Sequence, residues 1–202
     1  MTKNLFIVLD GLDGSGKGEM IKKLDKYLCK KGFNVLVTRE PTSSKYGKKI
    51  KEILRKEKDP KKGAELCLEL FVKDREEHLK KEIEPFLKKK NSIVLCDRYY
   101  YSTIAFQSTQ GIDIEKIIIE NMVFRTPDIT FILDLPAEIA LERILKRGEA
   151  KEKFEQLEFM NELRKNFLKL KEELDDNIKV IDASKSKEDV FNQIKTEVDK
   201  IL

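Results

Sequence analysis

The sequence predicts an α/β domain built on a parallel sheet, and three observations predict it. Short apolar runs alternate with longer amphipathic stretches along the chain. That alternation marks strand–helix–strand units, whose sheets are parallel and covered on both faces. The first run, Leu5-Phe6-Ile7-Val8-Leu9, passes into a glycine-rich turn, Gly11-Leu12-Asp13-Gly14-Ser15-Gly16-Lys17-Gly18, and then into a helix. Polar residues gather just after the apolar runs, where the strands of such a sheet end and ligands bind.

Strands are expected near residues 5–10, 34–38, 92–96, 129–134 and 178–182. After the glycine-rich turn, Glu19-Met20-Ile21-Lys22-Lys23-Leu24 has the apolar spacing of an amphipathic helix. The stretch from Glu69 to His78 is helical by composition and sets Phe71 and Arg75 four apart on one face. Such an aromatic plane and donor can hold a flat base, although a core Phe beside a surface Arg has the same spacing. From Leu141 to Phe154 the chain reads LERILKRGEAKEKF, with Arg143 and Arg147 one turn apart on a helix that Gly148 can end. This is read as a short basic lid over about 143–154, or equally as a helix end with favourable C-terminal cations. No repeat or low-complexity tract interrupts the chain, and 202 residues suit one domain spanning 1–202.

Composition excludes several classes. The apolar runs are far too short to span a membrane, and Asp10 breaks the first before it could serve as a secretion signal, so a soluble, cytoplasmic protein is expected. Three scattered cysteines and a single histidine, His78, offer neither a disulfide framework nor a zinc cluster. His78 is read as packing or surface, since no nucleophile–His–acid set can be assembled around it. The net charge is +4, yet residues 45–62 carry nine Lys/Arg against three acids, leaving the remainder near −2. Without interleaved aromatic residues this patch is read as a solvated helical face, and no nucleic-acid partner is expected. Arginine is scarce beside lysine, and Arg39, Arg75, Arg98, Arg143 and Arg147 all fall in the segments discussed here, where a planar bidentate fork is useful.

The glycine-rich turn nearly completes a phosphate-binding loop. Its glycines let successive N–H groups point inward at phosphate oxygens, while Lys17 and the helix dipole add positive charge. A nucleoside triphosphate is the expected ligand. A bare glycine turn is the plain alternative, and a dinucleotide site would want glycine where Glu19 stands. The pattern ends in Gly18 in place of Ser or Thr, removing the hydroxyl that normally touches magnesium. The metal would then be held mainly by phosphates and water, with a nearby carboxylate; the Gly after the Lys resembles the loop of adenylate kinases. Asp97, at the tip of the strand Ser92–Cys96, is that candidate carboxylate; capping the following helix is its other reading. Its neighbour Arg98 would bind phosphate oxygens and neutralise transferring charge.

Six segments in order resemble thymidylate kinases: GLDGSGKG, TREP at 38–41, FVKDREEH at 71–78, DRYYYSTIAFQ at 97–107, TPDITFILDL at 126–135 and ALERILKRG at 140–148. The resemblance implies a three-layer P-loop nucleoside monophosphate kinase fold with a five-stranded parallel sheet and a short lid. It implies transfer of the γ-phosphoryl group of ATP to dTMP with Mg2+, commonly by a homodimer. Gly11 to Gly18 would hold the ATP phosphates, with Asp13 also facing the acceptor sugar. Arg39 and Arg98 would grip the acceptor phosphate within a pocket that includes Glu40. Phe71 would stack on thymine, and Arg75 would donate to its carbonyl. Ser102, Thr103 and Gln107 would line the base and sugar pocket, with Phe106 closing the 2′ side. Some members place a basic catalytic residue in the loop; Gly14 occupies that position here, which puts the catalytic cations at Arg143 and Arg147. The chain departs from the family pattern at Gly18-Glu19, at Thr42-Ser43-Ser44 where a glycine pair is frequent, and at Lys51 where arginine is frequent. Rival readings are a deoxynucleoside kinase with Asp10 as base, a broader monophosphate kinase, and a nucleotide-binding regulator without catalysis.

Overall fold

A computed structural model describes residues 3–56, 63–146 and 157–202. All five expected strands form, as β1 (Leu5–Gly11), β2 (Asn34–Arg39), β3 (Ser92–Asp97), β4 (Ile129–Asp134) and β5 (Ile178–Asp182). They make one parallel sheet in the order β2-β3-β1-β4-β5. Every residue of β1 is buried, as a central strand between two helical layers requires, whereas the edge strands β2 and β5 are partly exposed.

The helices are α1 (Lys17–Lys30), α2 (Lys45–Lys56), α3 (Ala64–His78), α4 (Glu84–Leu87), α5 (Tyr100–Thr109), α6 (Ile114–Asn121), α7 (Ala137–Lys146), α8 (Leu157–Glu173) and α9 (Lys187–Ile201). A π-helical turn, Leu79–Ile83, joins α3 to α4. Helix α1 packs against α9, and α5 against α8. Among the described residues no helix is long and apolar enough to cross a membrane.

The register aligns the ends of three neighbouring strands. Arg39 pairs with Asp97 across β2 and β3, and Asp97 pairs with Leu9 across β3 and β1. The residues leading out of three strands therefore emerge side by side at one edge of the sheet.

Candidate active site

The glycine-rich turn is built by close backbone approach. Gly11 has φ +130, and a Cβ there would stand 2.6 Å from the Leu133 carbonyl oxygen on the adjoining β4. Gly14 has φ +80, and its Cβ would meet the Ala140 carbonyl oxygen on α7 at 2.6 Å. Gly16 at φ +96 turns the chain into α1. Gly18 differs: an added Cβ would meet nothing within 4 Å, so steric crowding does not dictate glycine there. Glu19 is exposed and lies 4.0 Å from Lys187 on α9, turned toward solvent.

Within this cradle Leu12 is buried in the core, and Ser15 is buried with no hydrogen-bond partner for its Oγ. Lys17 donates from Nζ to the carbonyls of Gly11 at 3.0 Å and Leu12 at 2.8 Å. Burial, aided by the neighbouring Arg98 charge, pushes the Lys17 ammonium down to about 8.

Arg98 stands where the loop meets β3. It takes the unusual φ of +71, and its guanidinium donates to Asp13 Oδ1 at 2.5 Å, Ser102 Oγ at 2.8 Å and the Gly11 carbonyl at 3.2 Å. Arg98 holds the exposed Asp13 carboxyl down to about 2. Burial alone would lower the Arg98 pKa, but Asp13, Asp10 and Asp97 outweigh it and raise it.

Asp10 organises this junction. Its Oδ1 accepts from Gly11 N at 2.8 Å and Ser102 Oγ at 2.6 Å. Its Oδ2 accepts from Tyr99 N at 3.2 Å and Ser102 N at 3.0 Å. Asp10 thus caps the start of α5 from a neighbouring strand, a role the sequence assigned to Asp97 as an alternative. Asp97 is left with Oδ1 buried and without a partner. An unpaired carboxylate oxygen beside the loop, together with open space at Gly18, fits a magnesium held through water and phosphates.

Arg75 reverses the usual outcome for a charged helix. Its side chain is fully buried, whereas Phe71 one turn earlier is half-buried. The guanidinium donates from Nε to Glu40 Oε2 at 2.9 Å, from its NH2 group to Thr103 Oγ1 at 2.9 Å, and to Asn121 Oδ1. It also lies against the rings of Tyr99 and Phe124, with centroids 5.0 and 5.6 Å away. Glu40, Thr103 and Asn121 carry no local sign of this convergence, which only the tertiary fold creates.

The remaining expected residues divide by environment. Ser102, Thr103 and Gln107 are buried on α5, and Gln107 donates to Gln110 Oε1 at 2.9 Å while its own Oε1 has no partner. Phe106 is half-buried with its ring 5.6 Å from the Arg98 guanidinium. Arg39 is exposed at the end of β2, while Glu40 beyond it is buried and followed by a cis bond to Pro41. Arg143 reaches the Gly14 carbonyl at 3.4 Å and the Ala183 carbonyl at 3.5 Å, bringing the end of α7 to the phosphate loop. Arg147 and the lid from residue 147 to 154 lie outside the described residues.

Two features were not anticipated. Thr42 and Ser44, which replace the frequent glycine pair, converge on Asp74: it accepts from Thr42 N at 2.8 Å, Thr42 Oγ1 at 2.6 Å and Ser44 Oγ at 2.5 Å. Lys51 donates to the Thr42 carbonyl at 2.9 Å and secures the same loop. Arg164 on α8 makes a two-point ion pair with Asp134 at the end of β4, at 2.6 and 2.8 Å.

A parallel sheet whose first strand feeds a phosphate loop, with an arginine poised at the neighbouring strand end, defines a P-loop phosphotransferase of the nucleoside monophosphate kinase class. The family model for thymidylate kinase matches residues 9–194. The chain is 39% identical over 196 residues to a probable thymidylate kinase of Pyrococcus horikoshii, covering 95% of this chain and 94% of that one. It is 39% identical over 199 residues to one from Archaeoglobus fulgidus, covering 98% and 96%. It is 38% identical over 197 residues to a thymidylate kinase of Desulfotalea psychrophila, covering 97% and 95%. The chain belongs to the thymidylate kinase family.

Proposed function

We propose that this chain transfers the γ-phosphoryl group of ATP to dTMP, giving dTDP and ADP, with Mg2+ accompanying the donor. The observation that carries this reading is Arg98, tied at once to Asp13 and to the Gly11 carbonyl of the phosphate loop. A cation at that junction lies between a donor held by the loop and an acceptor held beside β2 and β3. The acceptor oxygen is already anionic, so alignment and charge neutralisation suffice and no general base is required.

Gly11 to Gly18 would hold the ATP phosphates through their amides and Lys17. Binding would draw the Lys17 ammonium from the loop carbonyls to the phosphate oxygens. When bound, the metal would neutralise phosphate charge, with Asp97 positioned to hold one of its waters. Arg39 and Arg98 would receive the acceptor phosphate, and Arg143 and Arg147 would add charge from the lid. Phe71, Arg75, Ser102, Thr103, Phe106 and Gln107, with Glu40 behind them, would enclose thymine and its sugar.

Asp10 argues against a deoxynucleoside kinase. Both of its oxygens are occupied by four protein donors, so it is not free to take a proton from an acceptor hydroxyl. The decisive experiment measures ATP consumption with nucleosides, nucleoside monophosphates and DNA as acceptors. A response to dTMP is expected; a response to thymidine or DNA alone would overturn the reading.

A homodimer is part of this proposal. Ile119, Met122 and Val123, in and just after α6, are 67%, 74% and 80% exposed, an apolar patch that a second copy would cover. Cytoplasmic location is the companion reading, and the unpaired thiols of Cys29 and Cys96 suit a reducing compartment.

A further inference from the structure

Behind the acceptor side lies a buried row of polar groups that phosphate chemistry does not use. His78 ends α3 and is 4% exposed. Its Nδ1 lies 3.1 Å from Glu40 Oε1, and its Nε2 lies 2.8 Å from Thr38 Oγ1 and 3.3 Å from Glu82 Oε2. Glu40 gives its other oxygen, Oε2, to Arg75. One buried carboxylate is therefore divided between two side chains, one oxygen for each. A carboxylate only accepts, so in the contact with Glu40 the ring N–H at Nδ1 is the donor; on the far side Thr38 Oγ1 lies against Nε2 and itself donates to Glu82 Oε2 at 3.3 Å.

This division has a geometric effect. The terminal torsion of a glutamate is broad, so Arg75 alone would leave the Glu40 carboxylate free to swing. The His78 contact on the second oxygen stops that rotation and fixes the plane against which the guanidinium fork lies. A site that needed only filling would be as stable with apolar side chains, because burying His, Glu and Arg together carries a desolvation penalty. The π-helical turn begins directly after His78 and carries Glu82 to its Nε2; such turns occur frequently at functional sites.

We propose that His78 is a positioning residue for the acceptor site: through Nδ1 it fixes Glu40, and through Glu40 it sets the Arg75 guanidinium for the acceptor base. This rests on the reading of Phe71 and Arg75 as the base-receiving pair.

Two near-isosteric variants separate the contacts. In His78→Asn the side-chain amide takes the place of Nδ1 and keeps Glu40. In His78→Gln it takes the place of Nε2, keeping Thr38 and losing Glu40. Steady-state kinetics with dTMP and ATP, at temperatures where circular dichroism shows each variant folded, read the result. His78→Gln should raise KM for dTMP about tenfold with KM for ATP unchanged, as loss of one bond to a charged group implies. His78→Asn should stay within about twofold of the parent, since that bond is retained. Equal effects of the two variants, parallel changes in both KM values, no change in KM for dTMP, or loss of fold in His78→Gln alone would each overturn the proposal. Phe71→Ala tests the underlying pocket separately: unchanged KM for dTMP in that variant would remove the base-pocket reading itself.

Discussion

Arg98 donates to Asp13 at 2.5 Å, joining the end of β3 to the phosphate loop across 85 residues of sequence. The pair sets the Arg98 fork at the mouth of the loop, and it ties one acid's titration to one arginine. Arg98→Ala should lower kcat/KM by about a hundredfold or more while the fold survives, as loss of a preorganised cation does elsewhere. Near-normal turnover in a folded variant would contradict the role.

The same contact has an acid signature. Asp13 titrates at about 2 in the folded chain against an ordinary 3.8. As pH falls, the unfolded chain takes up this proton first, so the contribution to stability is complete above 3.8 and disappears toward 2. Acid unfolding followed by circular dichroism should show a weaker dependence over that window in Asp13→Asn. An unchanged slope would mean the pair does not persist in solution.

Lys17 works in the opposite direction. Folded, it titrates at about 8 against an ordinary 10.5, so between those values the unfolded chain binds more protons. Stability therefore rises with pH through this window. Lys17→Met should flatten that rise in unfolding experiments. In kinetics, kcat/KM for ATP should decline above about 8 as free Lys17 loses its proton, and Lys17→Arg should move the decline upward.

Gly14 and Gly18 should respond oppositely to substitution. Gly14→Ala would force a Cβ against the Ala140 carbonyl at 2.6 Å with φ at +80. A loss of roughly 1–3 kcal/mol in denaturant unfolding is expected. Gly18→Ser meets open space and should leave stability within about 1 kcal/mol of the parent. Its new hydroxyl should lower the Mg2+ concentration needed for half-maximal rate. An unaltered Mg2+ requirement would mean that the metal does not approach this position.

Val123→Glu should report on assembly. A charge at a position 80% exposed costs little in a monomer but is unfavourable beneath a second copy. Sedimentation should show two chains for the parent and one for the variant. A parent that sediments as one chain would remove the dimer reading.

The sheet was legible because period and length survive in each strand; all five fall within a residue or so of the expected positions. The loop was legible because its spacing is local. The Asp10 cap was not: an acid ending an apolar run gives no hint that its partners lie 89 and 92 residues away. Arg75 was likewise read from helical spacing, whereas its burial depends on Glu40, Thr103 and Asn121 arriving from three other segments. The same holds for Arg164 and Asp134, and for His78, which composition left between packing and surface.

The pairing of Arg39 with Asp97, and of Asp97 with Leu9, has a consequence for how such a chain can diversify. Neighbouring strands stand about 4.8 Å apart, a spacing set by main-chain hydrogen bonds and indifferent to side-chain identity. The distance between the strand ends proposed to hold the two phosphates is thus built into the scaffold. Residues on α3 and α5 that would meet the nucleobase can be exchanged without resetting it, so selectivity and reach are separable, modular properties of this fold.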